Sequence, residues 1–200
     1  MKAESIAFGV AGILFGLIAG WIIGTQYEAG RQQAATPAPA AAASTAPQPP
    51  PLDEAKVTAF RSVADREPTN AAPRAQLGDL YFDAERFDDA VKWYEEALKI
   101  NGNDVRVSTQ LGMSYYYTNQ TDRSLQQLER SIKLDPKHAE TWLNFGFVKA
   151  FGKQDLAGAE AAWQQVLKIT PDGPEGQAAR RALDSLRSAH SGGSAGAKPQ

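Results

Sequence analysis

Apolar positions in the middle of the chain recur with the period of an α-helix. Ser108, Leu111, Gly112 and Tyr115 fall at i, i+3, i+4 and i+7, one face of a helix, and Val91, Tyr94 and Leu98 do the same on the preceding stretch. Polar breaks such as Asn101-Gly102-Asn103 and Asp135-Pro136 end these faces. The pattern predicts helices over residues 53–66, 71–84, 87–100, 105–118, 121–134, 139–151, 156–169 and 174–189. The last has a narrow apolar side and a charged remainder, as the exposed end of a helical stack requires.

A longer period lies over the short one. Leu77, Gly78 and Tyr81 return 34 residues later as Leu111, Gly112 and Tyr115, and 34 residues after that as Phe145, Gly146 and Lys149. In the following helices Ala90, Tyr94, Ala97 and Gly102 become Ser124, Leu128, Ser131 and Pro136. The third copy, Ala159, Trp163, Val166 and Pro171, runs one residue late, which places an insertion near residues 152–157. Upstream, Phe60, Val63, Ala64 and Pro68 match the second half of the unit. Gly78, Gly112 and Gly146 are expected where paired helices approach closely.

The ends of the chain have different patterns. Residues 6–23 carry no charge, and eighteen residues at about 1.5 Å each just span a bilayer core. Trp21 and Tyr27 stand where interfacial aromatics belong. A cleaved signal peptide is the competing reading. The apolar run is long for one, and no A-x-A site follows it closely, which favours an uncleaved anchor. Gly12, Gly16, Gly20 and Gly24 repeat every fourth residue along one face, the spacing that lets membrane helices pack backbone to backbone, and so point to a homodimer. With Lys2 on the short side, the expected orientation keeps the N-terminus inside the cytoplasm. Residues 35–51 are rich in Ala and Pro and read as an extended, disordered spacer; residues 191–200 read as a disordered tail. The expected organisation is an anchor over 1–27, a linker over 28–51, a helical array over 52–173, a capping helix over 174–190 and the tail.

The 34-residue unit, with small and aromatic residues in register, resembles the tetratricopeptide repeat family. The resemblance covers about residues 55–175 and identifies the fold as an all-α solenoid of helical hairpins. Arg74 and Ser108 stand where the family prefers tryptophan, which Trp142 supplies in the third unit. The resemblance also implies that the first helices of successive units line a concave groove. The matching positions are Ala75, Asp79, Phe82 and Asp83, then Thr109, Met113, Tyr116 and Tyr117, then Leu143, Phe147, Ala150 and Phe151. From these, Phe82, Met113, Tyr116, Tyr117, Phe147 and Phe151 are the candidate peptide-binding residues; burial in the core is the alternative for each. Some members clamp a C-terminal carboxylate with lysines and asparagines in this stripe. Ala75, Asp79, Thr109, Met113 and Leu143 provide none.

Composition narrows the chemistry. The formal net charge is −2, with 21 basic and 23 acidic side chains, so no basic excess points to nucleic acid. There are no cysteines, which removes disulfides, thiolate metal sites and cysteine nucleophiles. His138 and His190 stand far apart with no second ligand at helical spacing. No G-x-S-x-G, P-loop or H-E-x-x-H pattern occurs, and Asp88 and Asp89 open a helix where carboxylates meet the positive end of its dipole. The expectation is therefore a non-enzymatic scaffold without cofactor or metal. It would sit on the inner membrane through a single span, hold its repeats on the periplasmic or extracytoplasmic side, and bind a protein or peptide segment. Two narrower alternatives stand beside it. The stretch from Trp163 to Leu183 is similar to the end of tetratricopeptide domains in bacterial cytochrome c maturation factors, which implies holding unfolded apocytochrome. A structural oligomer built on the glycine-laddered helix is the other.

Overall fold

The computed structural model describes residues 50–194, with side chains through Ser188. The expected anchor, its glycine ladder and nearly all of the linker lie outside the described residues. Among the described residues no helix is long and apolar enough to cross a membrane.

Among the described residues eight α-helices follow one another: α1 (Glu54–Arg66), α2 (Ala72–Asp83), α3 (Phe87–Ile100), α4 (Val105–Tyr117), α5 (Thr121–Leu134), α6 (Ala139–Phe147), α7 (Leu156–Ile169) and α8 (Pro174–Ser194). There is no strand among the described residues. Several starts are fixed by aspartates whose carboxylates accept a backbone N–H three residues on: Asp53 from Lys56 at 3.0 Å, Asp104 from Val107 at 3.0 Å and Asp155 from Gly158 at 2.8 Å. Each satisfies one of the donors that a helix start leaves free. α8 continues to Ser194, past the end expected near residue 190.

The helices pair as α2 with α3, α4 with α5 and α6 with α7, and glycine sets each contact. A Cβ on Gly78 would stand 2.4 Å from the Tyr94 ring, one on Gly112 2.8 Å from Leu128, and one on Gly146 2.4 Å from Trp163. These three large residues are 4% exposed or less. The positions where the family places tryptophan are filled in three ways. Arg74 donates to the carbonyls of Ala64 and Asn70, each at 3.1 Å, closing the end of α1. Ser108 accepts from Ser131 and Gln127, both at 2.7 Å. Trp142 donates from its indole to Pro136 O at 2.9 Å.

The turns inside the pairs reveal where the third unit hides its extra residue. Glu85, Asn119 and Gln154 all have positive φ, 55°, 60° and 56°, and terminate the first helix of their unit. The N–H three residues beyond the end of α2 and of α4 bonds back, from Arg86 to Tyr81 O and from Gln120 to Tyr115 O, both at 2.8 Å. In the third unit Asp155 N reaches back to Lys149 O at 2.9 Å, one residue further. The chain absorbs that residue in a π-helical turn, Val148–Gly152, directly after α6. The insertion expected near residues 152–157 is thus taken up upstream, and α6 ends at Phe147 rather than near 151.

Candidate functional site

The last turns of α2, α4 and the α6/π segment stop at the same kind of left-handed turn, so their final aromatic residues gather along one edge of the array. The rings touch in an unbroken series. Phe82 meets Tyr117 edge-on with ring centres 5.9 Å apart, Tyr117 meets Tyr116 at 5.5 Å, Tyr116 meets Phe147 at 5.3 Å and Phe147 meets Phe151 at 4.8 Å. Phe87, which opens α3, extends the series: it stacks on Tyr117 at 4.4 Å and meets Phe82 at 5.3 Å. Phe82, Phe87, Tyr116 and Phe147 are half-buried, whereas Tyr117 is 45% and Phe151 60% exposed. Offset and edge-to-face pairs of this kind contribute about 0.5–1.5 kcal/mol each.

Five of the six candidate groove residues therefore belong to one aromatic rim. The sixth does not. Met113 is 6% exposed and packs with Leu128 and Val148 in the core, with Phe82, Tyr116 and Phe147 laid over it. The reason lies across the helix pair. α4 and α6 pack directly against each other, as the 2.7 Å hydrogen bond between the fully buried hydroxyls of Thr109 and Thr141 shows. The neighbouring helix covers the early and middle positions of the stripe; Ala75 is also only 6% exposed. Ala150, a late position, is buried instead against α7 and α8. Only the ends of the helices remain open. Sequence reading missed Phe87, because it sorted residues by helix and this ring arrives from across a turn. Its signal was the pair of phenylalanines flanking Asp83-Ala84-Glu85-Arg86.

Two polar members of the stripe, Thr109 and Asp79, are already engaged. Asp79 accepts from the Tyr94 hydroxyl at 2.7 Å and from Arg106 at 2.9 Å. Burial first, then the Asp79 charge, pushes the Tyr94 phenol far above its usual range. On the rim, burial raises the Tyr116 and Tyr117 phenols, with the neighbouring Tyr117 and the Glu85 carboxylate respectively as second causes. Both rim tyrosines thus present neutral hydroxyls at physiological pH. Among the described residues no group of His, Asp and Glu is arranged to hold a metal ion. His138 contacts the Thr141 hydroxyl at 2.7 Å. The rim offers stacking, apolar contact and neutral hydroxyls, the materials of recognition.

Two family models meet this architecture, both described as tetratricopeptide repeat, over residues 69–137 and 109–174. Residues 69–174 are tetratricopeptide repeats. Among curated relatives, Hsp70-Hsp90 organizing protein 3 of Arabidopsis thaliana is 29% identical over 127 residues, 63% of this chain and 23% of that protein. Human protein O-mannosyl-transferase TMTC3 is 24% identical over 116 residues, 58% of this chain and 13% of that one. The chain thus spans less than a quarter of the length of either relative. Among solved structures, the Sgt2 tetratricopeptide domain of Aspergillus fumigatus superimposes with a TM-score of 0.57 at 18% identity, covering 65% of this chain and 85% of that one. The first tetratricopeptide domain of Spaghetti (RPAP3), solved with an HSP90 peptide, gives 0.52 at 18% identity, covering 59% and 94%. At these identities the structures establish a shared fold.

Proposed function

We propose that this chain is a membrane-tethered scaffold whose tetratricopeptide array takes up a segment of a partner protein on its aromatic rim. The single observation that carries the reading is the continuous ring series from Phe87 to Phe151 with Tyr117 and Phe151 open to solvent. Contiguous aromatic surface of this kind marks interaction sites, and the exposed rings are the natural hot spots. The uncharged run over residues 6–23 supports the tether, and the Ala/Pro stretch that follows supports a stand-off spacer; placement outside the cytoplasm follows from the Lys2 flank.

The mode of binding differs from carboxylate clamping. The positions that match the clamp hold Ala75, Thr109, Met113 and Leu143 with no lysine, and the one charged residue among them, Asp79, is negative and paired with Arg106. A segment recognised by apolar and aromatic contacts fits this surface; an acidic chain terminus does not. The residues behind the cytochrome-maturation resemblance, including Trp163, Val166, Ala179 and Leu183, lie together in the core beneath α8, so packing of the cap accounts for that stretch.

Photo-crosslinking in cells tests the reading. A benzophenone side chain at Tyr117 or Phe151 should capture a discrete partner, and one at the exposed Gln126 on α5 should not. Crosslinks from Gln126 with none from the rim would overturn it.

A further inference from the structure

The rim is electrically lopsided. At its α6 end the charges are matched: Lys149 pairs with Asp155 at 3.1 Å and Lys153 with Asp122. At its other end Asp83, Glu85 and Asp88 alternate along the chain with Phe82 and Phe87. All three carboxylates are exposed and make no hydrogen bond or ion pair among the described residues. The one cation of that turn, Arg86, is spent on Asp89 at 2.6 Å and lies over the Tyr81 ring at 5.0 Å, and Lys92 also binds Asp89. The next turn of the array, Thr118-Asn119-Gln120, is uncharged. Three unpaired carboxylates therefore stand within two residues of Phe82 or Phe87 along the chain, and one of them, Glu85, acts on the Tyr117 hydroxyl, while the lysines nearest Phe147 and Phe151 along the chain are paired.

We infer that the segment taken up on this rim is an apolar or aromatic stretch that ends in a cluster of lysines or arginines, seated with the basic end at the α2–α3 turn and the apolar end over Phe147 and Phe151. Charge complementarity selects this occupant. Basic side chains there meet three free carboxylates and the faces of three rings, so ion pairing and cation–π contact act together. A segment with acidic flanks meets repulsion at the same place and gains nothing at the far end. The inference rests on the rim being the binding surface and adds to it the chemistry and direction of the partner.

The test uses the full chain in uncharged detergent with two synthetic peptides. Both carry the same leucine and tryptophan anchors; one is flanked at one end by lysines and the other by glutamates. Affinities are read by fluorescence anisotropy at low and high salt, and circular dichroism confirms that each variant is folded. The lysine peptide should bind at least about tenfold more tightly at low salt, an advantage that shrinks at high salt. In the variant combining Asp83→Asn, Glu85→Gln and Asp88→Asn, that advantage should disappear while the anchors still bind. Tyr117→Ala with Phe151→Ala should weaken both peptides. Equal affinity for the two peptides, both lost in the rim variant, would overturn the charge selection and leave the rim in place. Binding indifferent to the rim variant would remove the rim reading, and this inference with it.

Discussion

Gly146→Ala in α6 sets two effects against each other, and the structure decides between them. In an ordinary helix interior alanine is favoured over glycine by about 0.5–1 kcal/mol, so the substitution would stabilise an open position. Here the new methyl would lie 2.4 Å from Trp163 Nε1, 2.7 Å from its Cδ1 and 2.9 Å from its Cε2. Carbon contacts are comfortable near 3.5–4 Å, so the ring or the helix must move by about 1 Å. The ring has little room to retreat: Trp163 is 4% exposed, packs among Ala150, Ala159 and Val166, and donates to Leu143 O at 3.2 Å. Overpacking of this kind costs about 1–3 kcal/mol, and losing the indole hydrogen bond adds roughly 1 kcal/mol. Against the gain in propensity, the net is a destabilisation of about 1–3 kcal/mol. For an array of this size that lowers the melting temperature by about 4–10 °C.

Thermal unfolding followed by helical circular dichroism reads the shift directly. Gly102→Ala is the control: its methyl would meet only the flexible end of Arg130 at 3.3 Å and Leu98 O at 3.4 Å, and should stay within about 0.5 kcal/mol of the parent. Trp163→Leu, the residue type that faces Gly112 in the preceding unit, should make alanine at 146 cheaper, giving a coupling of at least about 0.5 kcal/mol in a double-mutant cycle. A Gly146→Ala protein that melts at or above the parent temperature would refute the close-approach argument.

Met113→Ala and Tyr115→Ala remove core side chains, 6% and 5% exposed, and should cost about 2–5 and 3–5 kcal/mol in urea unfolding; Tyr117→Ala should cost far less, and a Met113 variant as stable as the parent would return that residue to the surface. For the glycine ladder outside the described residues, the full chain should resist carbonate extraction and give crosslinked dimers in detergent, and Gly16→Ile with Gly20→Ile should abolish the dimers; unchanged crosslinking would exclude the ladder as an interface.

The helices were legible because the unit repeats: a boundary ambiguous in one copy, such as the end of α4 at Tyr117, is pinned by its counterparts at Asp83 and in the turn residues Glu85 and Asn119. The π-helical turn was not. Phe147, Ala150 and Phe151 keep an apolar face whether the spare residue sits before or after them, so side-chain pattern alone places the insertion anywhere up to α7. Met113 failed for a different reason. Its spacing to Tyr116 and Tyr117 fixes the face of α4 it occupies but says nothing of what α6 lays against that face, and burial is a property of the pair. The Thr109–Thr141 contact that closes the stripe joins residues 32 positions apart. Periodicity within one helix carries no such information.

The rim follows from the turn that the sequence repeats. A left-handed residue after each first helix ends it sharply, so one side of the last helical turn is left without a neighbour to cover it, and the side chains on that side, Tyr117 and Phe151 foremost, reach the surface while Tyr81 and Tyr115 on the other side stay buried. Packing then spaces successive first helices about 8–10 Å apart, within reach of aromatic rings from adjacent units. Each half-buried ring, Phe82, Tyr116 or Phe147, is held from below by the core around Met113, and in turn holds an exposed one, Tyr117 or Phe151. The exposed rings are thereby restricted before any partner arrives, and less side-chain entropy remains to be lost on binding. The burial that removes Met113 from the binding surface is thus what fixes the rings that form it.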